Sequence, residues 1–214
     1  MTIMHALRPA ALRPAALRPS GLRPSGLRPA GLLGLLLIAA IALAACTGPG
    51  SYRTVRGGAA DPGQFARNYL QYAGRDAPVL VEARGGALGL SAEALAPVLA
   101  SHGTGAVFGL PTRFTADATQ VTEPNWRLVF LFDPAPRMRE DDLCDGTARQ
   151  SGSGSLDVVA AFCHRDRPYA SVSGYAQSFG GVDDPAFRAY VRQIVGDMFP
   201  ITSDGMRGAD DWDG

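Results

Sequence analysis

Lysine is absent from the 214 residues of this chain, so its basic side chains are arginines and three histidines. This absence excludes functions that need a lysine amine, such as the Walker A phosphate loop, pyridoxal Schiff bases and Ser-x-x-Lys hydrolases. Cysteine is scarce, with three residues, and no H-E-x-x-H or C-x2-C spacing occurs. A protein zinc site needs several such ligands close together. We therefore expect no metal and no cofactor.

Charge is unevenly distributed along the chain. Residues 1–45 contain five arginines and no acidic residue, whereas residues 46–214 contain fifteen arginines and twenty acidic residues, a formal charge of −5. Nucleic-acid binding requires a basic surface that neutralises phosphates. The acidic balance after residue 45 therefore makes nucleic acid an unexpected partner.

The first 45 residues have the pattern of an export signal. A five-residue Leu-Arg-Pro repeat over residues 6–30 supplies positive charge, and residues 31–45 form an uncharged apolar run. As a helix, that run would reach only about 22 Å, short of the bilayer core of about 30 Å. A basic region, a short apolar core and small residues before a cut point predict a signal peptide over residues 1–45.

The apolar run ends in Leu43-Ala44-Ala45-Cys46. This motif resembles the lipobox of bacterial lipoproteins, which signal peptidase II recognises. The resemblance implies that the chain is cut before Cys46, which carries a diacylglycerol thioether and an acylated amino group. Several acyl chains, palmitate among them, hold a protein on a membrane almost permanently. The alternative is an ordinary signal or membrane helix with a chance cysteine.

The resemblance also bears on localisation. Residue 47 is Thr rather than the Asp that retains many such lipoproteins at the inner membrane. This favours the outer membrane, with the protein in the cell envelope facing the periplasm. The remaining chain resembles uncharacterised proteobacterial lipoproteins, a similarity that implies no activity and no site.

Composition divides the rest of the chain into three segments. Residues 46–61 are rich in glycine and small residues and predict a lipidated N-terminus with a flexible tether. Residues 62–202 are long enough for a single periplasmic domain. Residues 203–214 are acidic and predict a disordered tail.

The domain's pattern predicts α+β architecture. Strands are expected over residues 78–83, 113–116, 126–132, 156–163 and 169–175, and 126–132 is apolar on both faces, as in a central strand. Helices are expected after Asp61-Pro62, after Ser91 and after Asp184-Pro185. Because the strands bunch in the middle, we expect a mostly antiparallel sheet of about four to five strands with helices packed on one face.

A proline, Pro97, lies within the helix predicted after Ser91. Pro97 should kink or shorten the helix after Ser91.

Cys144 and Cys163 are predicted to form a disulfide, because two thiols in an exported domain meet an oxidising compartment. The alternative is a Cys163-His164 nucleophile pair, which the opposite orientation of neighbouring strand residues disfavours.

The other candidates for chemistry are weak. His102 and His164 are the only histidines after residue 46 and are expected to be exposed or structural. The acidic residues 140–142 and Asp145 do not follow the calcium-loop pattern, and Ser153 lies in SGSGS, a flexible run rather than a nucleophile elbow. We therefore predict no catalytic residue.

Three hypotheses of function remain. The first is a lipid-anchored, non-catalytic domain that binds an envelope protein or component, with the membrane held through Cys46. The second is an envelope hydrolase whose site is assembled from sequence-distant residues, around His102 or His164. The third is a small-ligand binder with an aromatic-lined groove.

Overall fold

A computed structural model describes residues 50–57 and 63–201 of the chain. Cys46, the predicted signal peptide and the predicted acidic tail lie outside these described residues, as does the predicted helix cap at Asp61-Pro62. The described elements, in chain order, are β1 (Tyr52–Arg56), α1 (Gly63–Ala73), β2 (Val79–Ala83), α2 (Ala92–Gly103), β3 (Phe114–Thr115), a 3-10 turn (Ala118–Gln120), β4 (Trp126–Phe132), α3 (Glu140–Asp145), β5 (Val158–His164), β6 (Arg167–Ala176) and α4 (Pro185–Met198).

The six strands form one sheet in the order β1-β6-β5-β4-β2-β3. The pairs β1–β6, β6–β5 and β5–β4 are antiparallel. In contrast, β2 runs parallel to both β4 and β3. The α+β class is confirmed, and the sheet is mixed, with one strand more than expected. The parallel pairs arise because α2 follows β2 and returns the chain to the same end of the sheet before β3 and β4.

The additional strand is β1, which lies within the predicted tether. Residues 52–56 pair with β6 from Tyr52↔Ala176 to Arg56↔Val172. The prediction of a flexible tether is therefore wrong for these residues. Their alternating pattern is short and flanked by glycines, so a strand here depends on pairing with β6 rather than on local propensity.

Hydrophobic residues lie on both faces of the sheet, as the apolar pattern of β4 predicts. Leu128 and Phe130 contribute to the larger cluster, under α1, α2 and α4. Val129 and Leu131 contribute to a smaller cluster that includes Leu143 of α3. Helices therefore cover both faces, which corrects the expectation of one helical face.

Helix α4 follows the sequence prediction closely. The carboxylate of Asp184 accepts the N–H of Ala186, and Pro185 opens the helix. The predicted apolar stripe is buried along its whole length: Phe187, Tyr190, Val191, Ile194, Val195 and Met198. Its burial against the sheet is what the 3.6-residue period predicts.

The other two long helices differ from expectation in detail. Helix α2 continues through Gly103, six residues beyond Pro97, because the buried Leu95 and Leu99 hold it against the core. In α1, Phe65 and Tyr72 are 52% and 44% exposed. The buried face of α1 consists of smaller residues: Ala66, Leu70 and Ala73.

One end of the sheet collects most of the long loops. Strands β1 and β5 begin at this end, and strands β2, β4 and β6 finish there. We call it the Gly50 end, because the N–H of Gly50 donates to the carbonyl of Ser178 at 3.0 Å just before β1. The opposite end carries the β5–β6 turn at Arg165-Asp166, where His164 already pairs with Arg167.

Candidate functional site

Cys144 and Cys163 form a disulfide, as the sequence predicts. Helix α3 carries Cys144 back over the second face of the sheet, where both residues are buried and their Cα atoms are 5.6 Å apart. The guanidinium of Arg127 also donates to the carbonyl of Cys144 at 2.7 Å. A disulfide-bonded Cys163 has no thiolate, so the alternative Cys163-His164 nucleophile pair is excluded.

His164 packs among aromatic rings on the face of the sheet opposite the disulfide. Its imidazole stacks on Trp126 with ring centroids 4.3 Å apart. Burial lowers the pKa of His164 below its ordinary value, and the positive charge of Arg165 lowers it further. These effects favour the neutral imidazole beside aromatic carbon.

His102 has different surroundings. It is buried, its Nε2 lies 2.9 Å from the carbonyl oxygen of Val182, and its ring meets the edge of Phe187. A carbonyl only accepts, so Nε2 carries the proton and donates it. The two histidines share no neighbour in these contacts, and each has a structural bond or stack, as predicted.

The acidic segment of α3 is engaged locally. Glu140 accepts from the hydroxyl of Ser171, and Asp142 accepts the N–H of Arg139 at the helix start. The carboxylate of Asp145 accepts from Thr147, whose hydroxyl and N–H lower its pKa. Within residues 50–57 and 63–201, no group of three or more His, Cys, Asp or Glu side chains could hold a metal ion.

Asp133 organises the serine-rich run that the sequence predicts to be flexible. Its Oδ1 accepts the hydroxyls of Ser151 and Ser153, each at 2.5 Å, and its Oδ2 accepts the N–H of Gly154 at 2.9 Å. The backbone of Asp133 is left-handed, with φ of 54°. The only sequence signal for this arrangement is an Asp directly after the central strand.

The same contacts bear on whether Asp133 could act as a general base for Ser153. Hydrogen bonds from Ser151 and Ser153, with that of Gly154, lower the pKa of Asp133 to about 2. A carboxylate with so low a pKa is a poor general base, since an effective base has a pKa near the working pH. Asp133 therefore holds the loop in place through these hydrogen bonds.

Three cavities lie around this loop at the Gly50 end, and two of them share Asp157. The larger, of about 780 Å³, is lined by Asp133, Pro134, Pro136, the serine-rich loop and Asp157. The smaller, of about 330 Å³, is lined by residues 51–53, residues 175–177 and the same Asp157. We call the smaller one the Gly50 cavity. Serine and proline dominate the lining of the larger cavity. The Gly50 cavity is lined by Tyr52 and Tyr175 together with charged Arg53 and Asp157.

The Gly50 cavity holds two opposite charges. The guanidinium carbon of Arg53 lies 4.7 Å from the centroid of the Tyr175 ring, in a cation–π contact. The Oδ1 of Asp157 accepts the N–H of Ala176 at 3.3 Å. Among the described ion pairs, none joins Arg53 to Asp157. No local sequence pattern connects these two residues, because they are 104 positions apart.

Two further findings concern the chain as a whole. Every helix within residues 50–57 and 63–201 is too short or too polar to traverse a bilayer. Comparison with known proteins finds no matching family model, no curated protein with significant sequence similarity and no solved structure with significant similarity.

Proposed function

We propose that this chain is an exported lipoprotein, cut before Cys46, whose described residues form a non-catalytic binding domain on the periplasmic side of the outer membrane. The observation that carries the proposal is the motif Leu43-Ala44-Ala45-Cys46 at the end of a short apolar run. The fold supports it, because β1 begins at Tyr52, soon after the proposed anchor.

Binding is favoured over catalysis by how the reactive side chains are used. Cys163 is in a disulfide, His102 bonds Val182, and the serines beside Asp133 serve a carboxylate that is a poor base. The charges of Arg53 and Asp157, in contrast, border an open cavity without pairing with each other. Such convergent polar groups in a concave site are typical of ligand binding.

Metabolic labelling with palmitate tests the anchor. The expected result is labelled wild-type protein and no label on Cys46→Ala. A matched control replaces Cys144 and Cys163 by Ala together, because this variant lacks the other two cysteines and should still be labelled. Label retained on Cys46→Ala would contradict the proposal.

Site-specific photo-crosslinking in cells tests the binding role. A photoreactive residue replaces Gln177, which lines the Gly50 cavity, and a control places it at Thr119, an exposed residue of the 3-10 turn. Adducts concentrated at position 177 would support a binding domain. Equal adduct yields at both positions would count against it.

A further inference from the structure

The proposed anchor is separated from the fold by a very short segment. Only Thr47, Gly48 and Pro49 lie between Cys46 and Gly50, whose N–H is bonded to Ser178. A Cβ on Gly50 would lie 2.9 Å from that of Ala186, so the chain also packs closely here. Four residue steps span at most about 14 Å when fully extended. If Cys46 is acylated, the Gly50 end therefore stays within that distance of its lipid.

This distance places the Gly50 cavity beside the bilayer. Its lining begins at Ser51, one residue after Gly50. The polar headgroup region on each side of a bilayer is about 5–8 Å thick, so the linker keeps the cavity within reach of lipid headgroups. Tethering of this kind raises the effective concentration of a ligand to the millimolar range, so a weak site is sufficient.

The charges in the cavity indicate which headgroup fits. The guanidinium of Arg53 suits a phosphate, which arginine binds through its planar donors. The carboxylate of Asp157 keeps one oxygen for a cation, because only Oδ1 accepts from the backbone of Ala176. A purely anionic headgroup would meet the charge of Asp157, and a purely cationic ligand would meet that of Arg53. A ligand with both charges satisfies both side chains.

We infer that the Gly50 cavity binds the zwitterionic aminoethyl-phosphate headgroup of a phosphatidylethanolamine-type lipid, from the leaflet that holds the anchor. The phosphate lies toward Arg53 and the ammonium toward Asp157. This inference rests on the proposed function, since the anchor brings the cavity to the membrane. It assigns the cavity a ligand class and gives the domain an orientation, with the Arg165-Asp166 turn at the opposite end of the sheet.

Carbodiimide coupling provides a direct test, because it joins a carboxylate to a primary amine as an amide. The chain has no lysine to compete, and the proposed N-terminal amine is acylated. The lipoprotein is reconstituted in vesicles containing phosphatidylethanolamine, treated, and analysed by peptide mass spectrometry. We expect the lipid adduct on Asp157 to exceed that on the exposed Asp76 by at least about tenfold, as the effective concentration implies.

Variants and lipids identify the source of the adduct. Asp157→Asn, which keeps an oxygen for the N–H of Ala176, should remove the adduct, and Arg53→Gln should reduce it severalfold. The matched controls Asp76→Asn and Arg75→Gln alter an exposed ion pair elsewhere on the protein and should leave it unchanged. Phosphatidylcholine has no primary amine and should give no adduct. Equal modification of Asp157 and Asp76, or an unchanged yield in Arg53→Gln, would overturn the inference.

A second measurement separates this inference from the anchor. Soluble glycerophosphoethanolamine is titrated into the protein with Cys46→Ala, and amide resonances of residues 51–53 and 175–177 are followed by NMR. Saturable shifts with this compound, absent with glycerophosphoglycerol, support the cavity even if palmitate labelling fails. No shifts in the folded Cys46→Ala protein, with palmitate label on the wild type, would overturn the headgroup site and leave the anchor intact.

Discussion

Gly174 on β6 lies directly against the phenol of Tyr190 on α4, so closely that a Cβ at position 174 would overlap the ring. The hydroxyl of Tyr190 reaches past this glycine to the carbonyl of Leu156 at 3.4 Å. Burial raises the pKa of Tyr190 well above its ordinary value, so the phenol stays protonated and keeps this donor. The contact joins α4 to the sheet at the point where the loop before β5 ends.

Gly174→Ala should therefore destabilise the protein. We expect a loss of about 1–3 kcal/mol in the free energy of unfolding, the usual cost of overpacking a close-packed core, measured by chemical denaturation. Gly180→Ala is the matched control, because its Cβ would make only ordinary contact with Asp184. Tyr190→Phe removes the atom nearest to the new methyl group, so the double variant should lose less than the sum of the single variants. Strict additivity would argue against this contact as the cause.

Loss of the disulfide should also destabilise the fold. Replacing Cys144 and Cys163 by Ala opens a covalent loop between positions 19 residues apart, which costs about 3 kcal/mol in the chain-entropy description. Denaturation with and without reductant measures this effect. Reductant should destabilise the wild type and leave the double variant unchanged. A wild type insensitive to reductant after unfolding and refolding would contradict the prediction.

Asp133 should contribute stability that depends on pH. Its pKa is about 2 in the folded protein, below its ordinary value of 3.8. A carboxylate with a depressed folded pKa stabilises the protein above its unfolded pKa and loses that contribution as pH falls through the folded one. The melting-temperature advantage of wild type over Asp133→Asn should thus be full above about pH 4 and shrink toward pH 2.

Asp76→Asn provides the control for this experiment, since Asp76 forms only an exposed ion pair with its neighbour Arg75. Its difference from wild type should change little over the same pH range, because an exposed pair contributes little to stability. If the melting-temperature difference between wild type and Asp133→Asn stayed constant from pH 7 to pH 2, the hydroxyl partners would not be lowering the pKa of the Asp133 carboxylate.

Replacement of both histidines separates the binding hypothesis from the hydrolase alternative. His102→Gln keeps a side-chain donor for Val182, and His164→Phe keeps a ring against Trp126, so the double variant should fold. We expect it to complement a deletion strain as well as the wild type does. A folded variant that fails to complement would favour an envelope hydrolase that uses one of these histidines.

Local sequence pattern predicted the elements whose stability depends on periodicity. The stripe of α4 and the two-sided β4 are examples, because a helix or strand that buries apolar residues must repeat them at its own period. The Cys144–Cys163 pair was also predictable, since few partners were available. In α1, helical spacing joins Phe65, Tyr69 and Tyr72 with Ala66 and Leu70. Only the packing decides that Ala66 and Leu70 are fully buried while Phe65 and Tyr72 remain exposed.

The sequence by itself determined the class of fold, the positions of most helices and strands, and the expectation of an anchor at Cys46. Only the tertiary structure decided that residues 52–56 join the sheet, that β2 runs parallel to β4, and that Asp133 holds the serine-rich loop. It also placed Arg53 and Asp157 in one cavity. These features depend on contacts between residues far apart in the chain, whose cost in chain entropy is offset only when the whole fold forms.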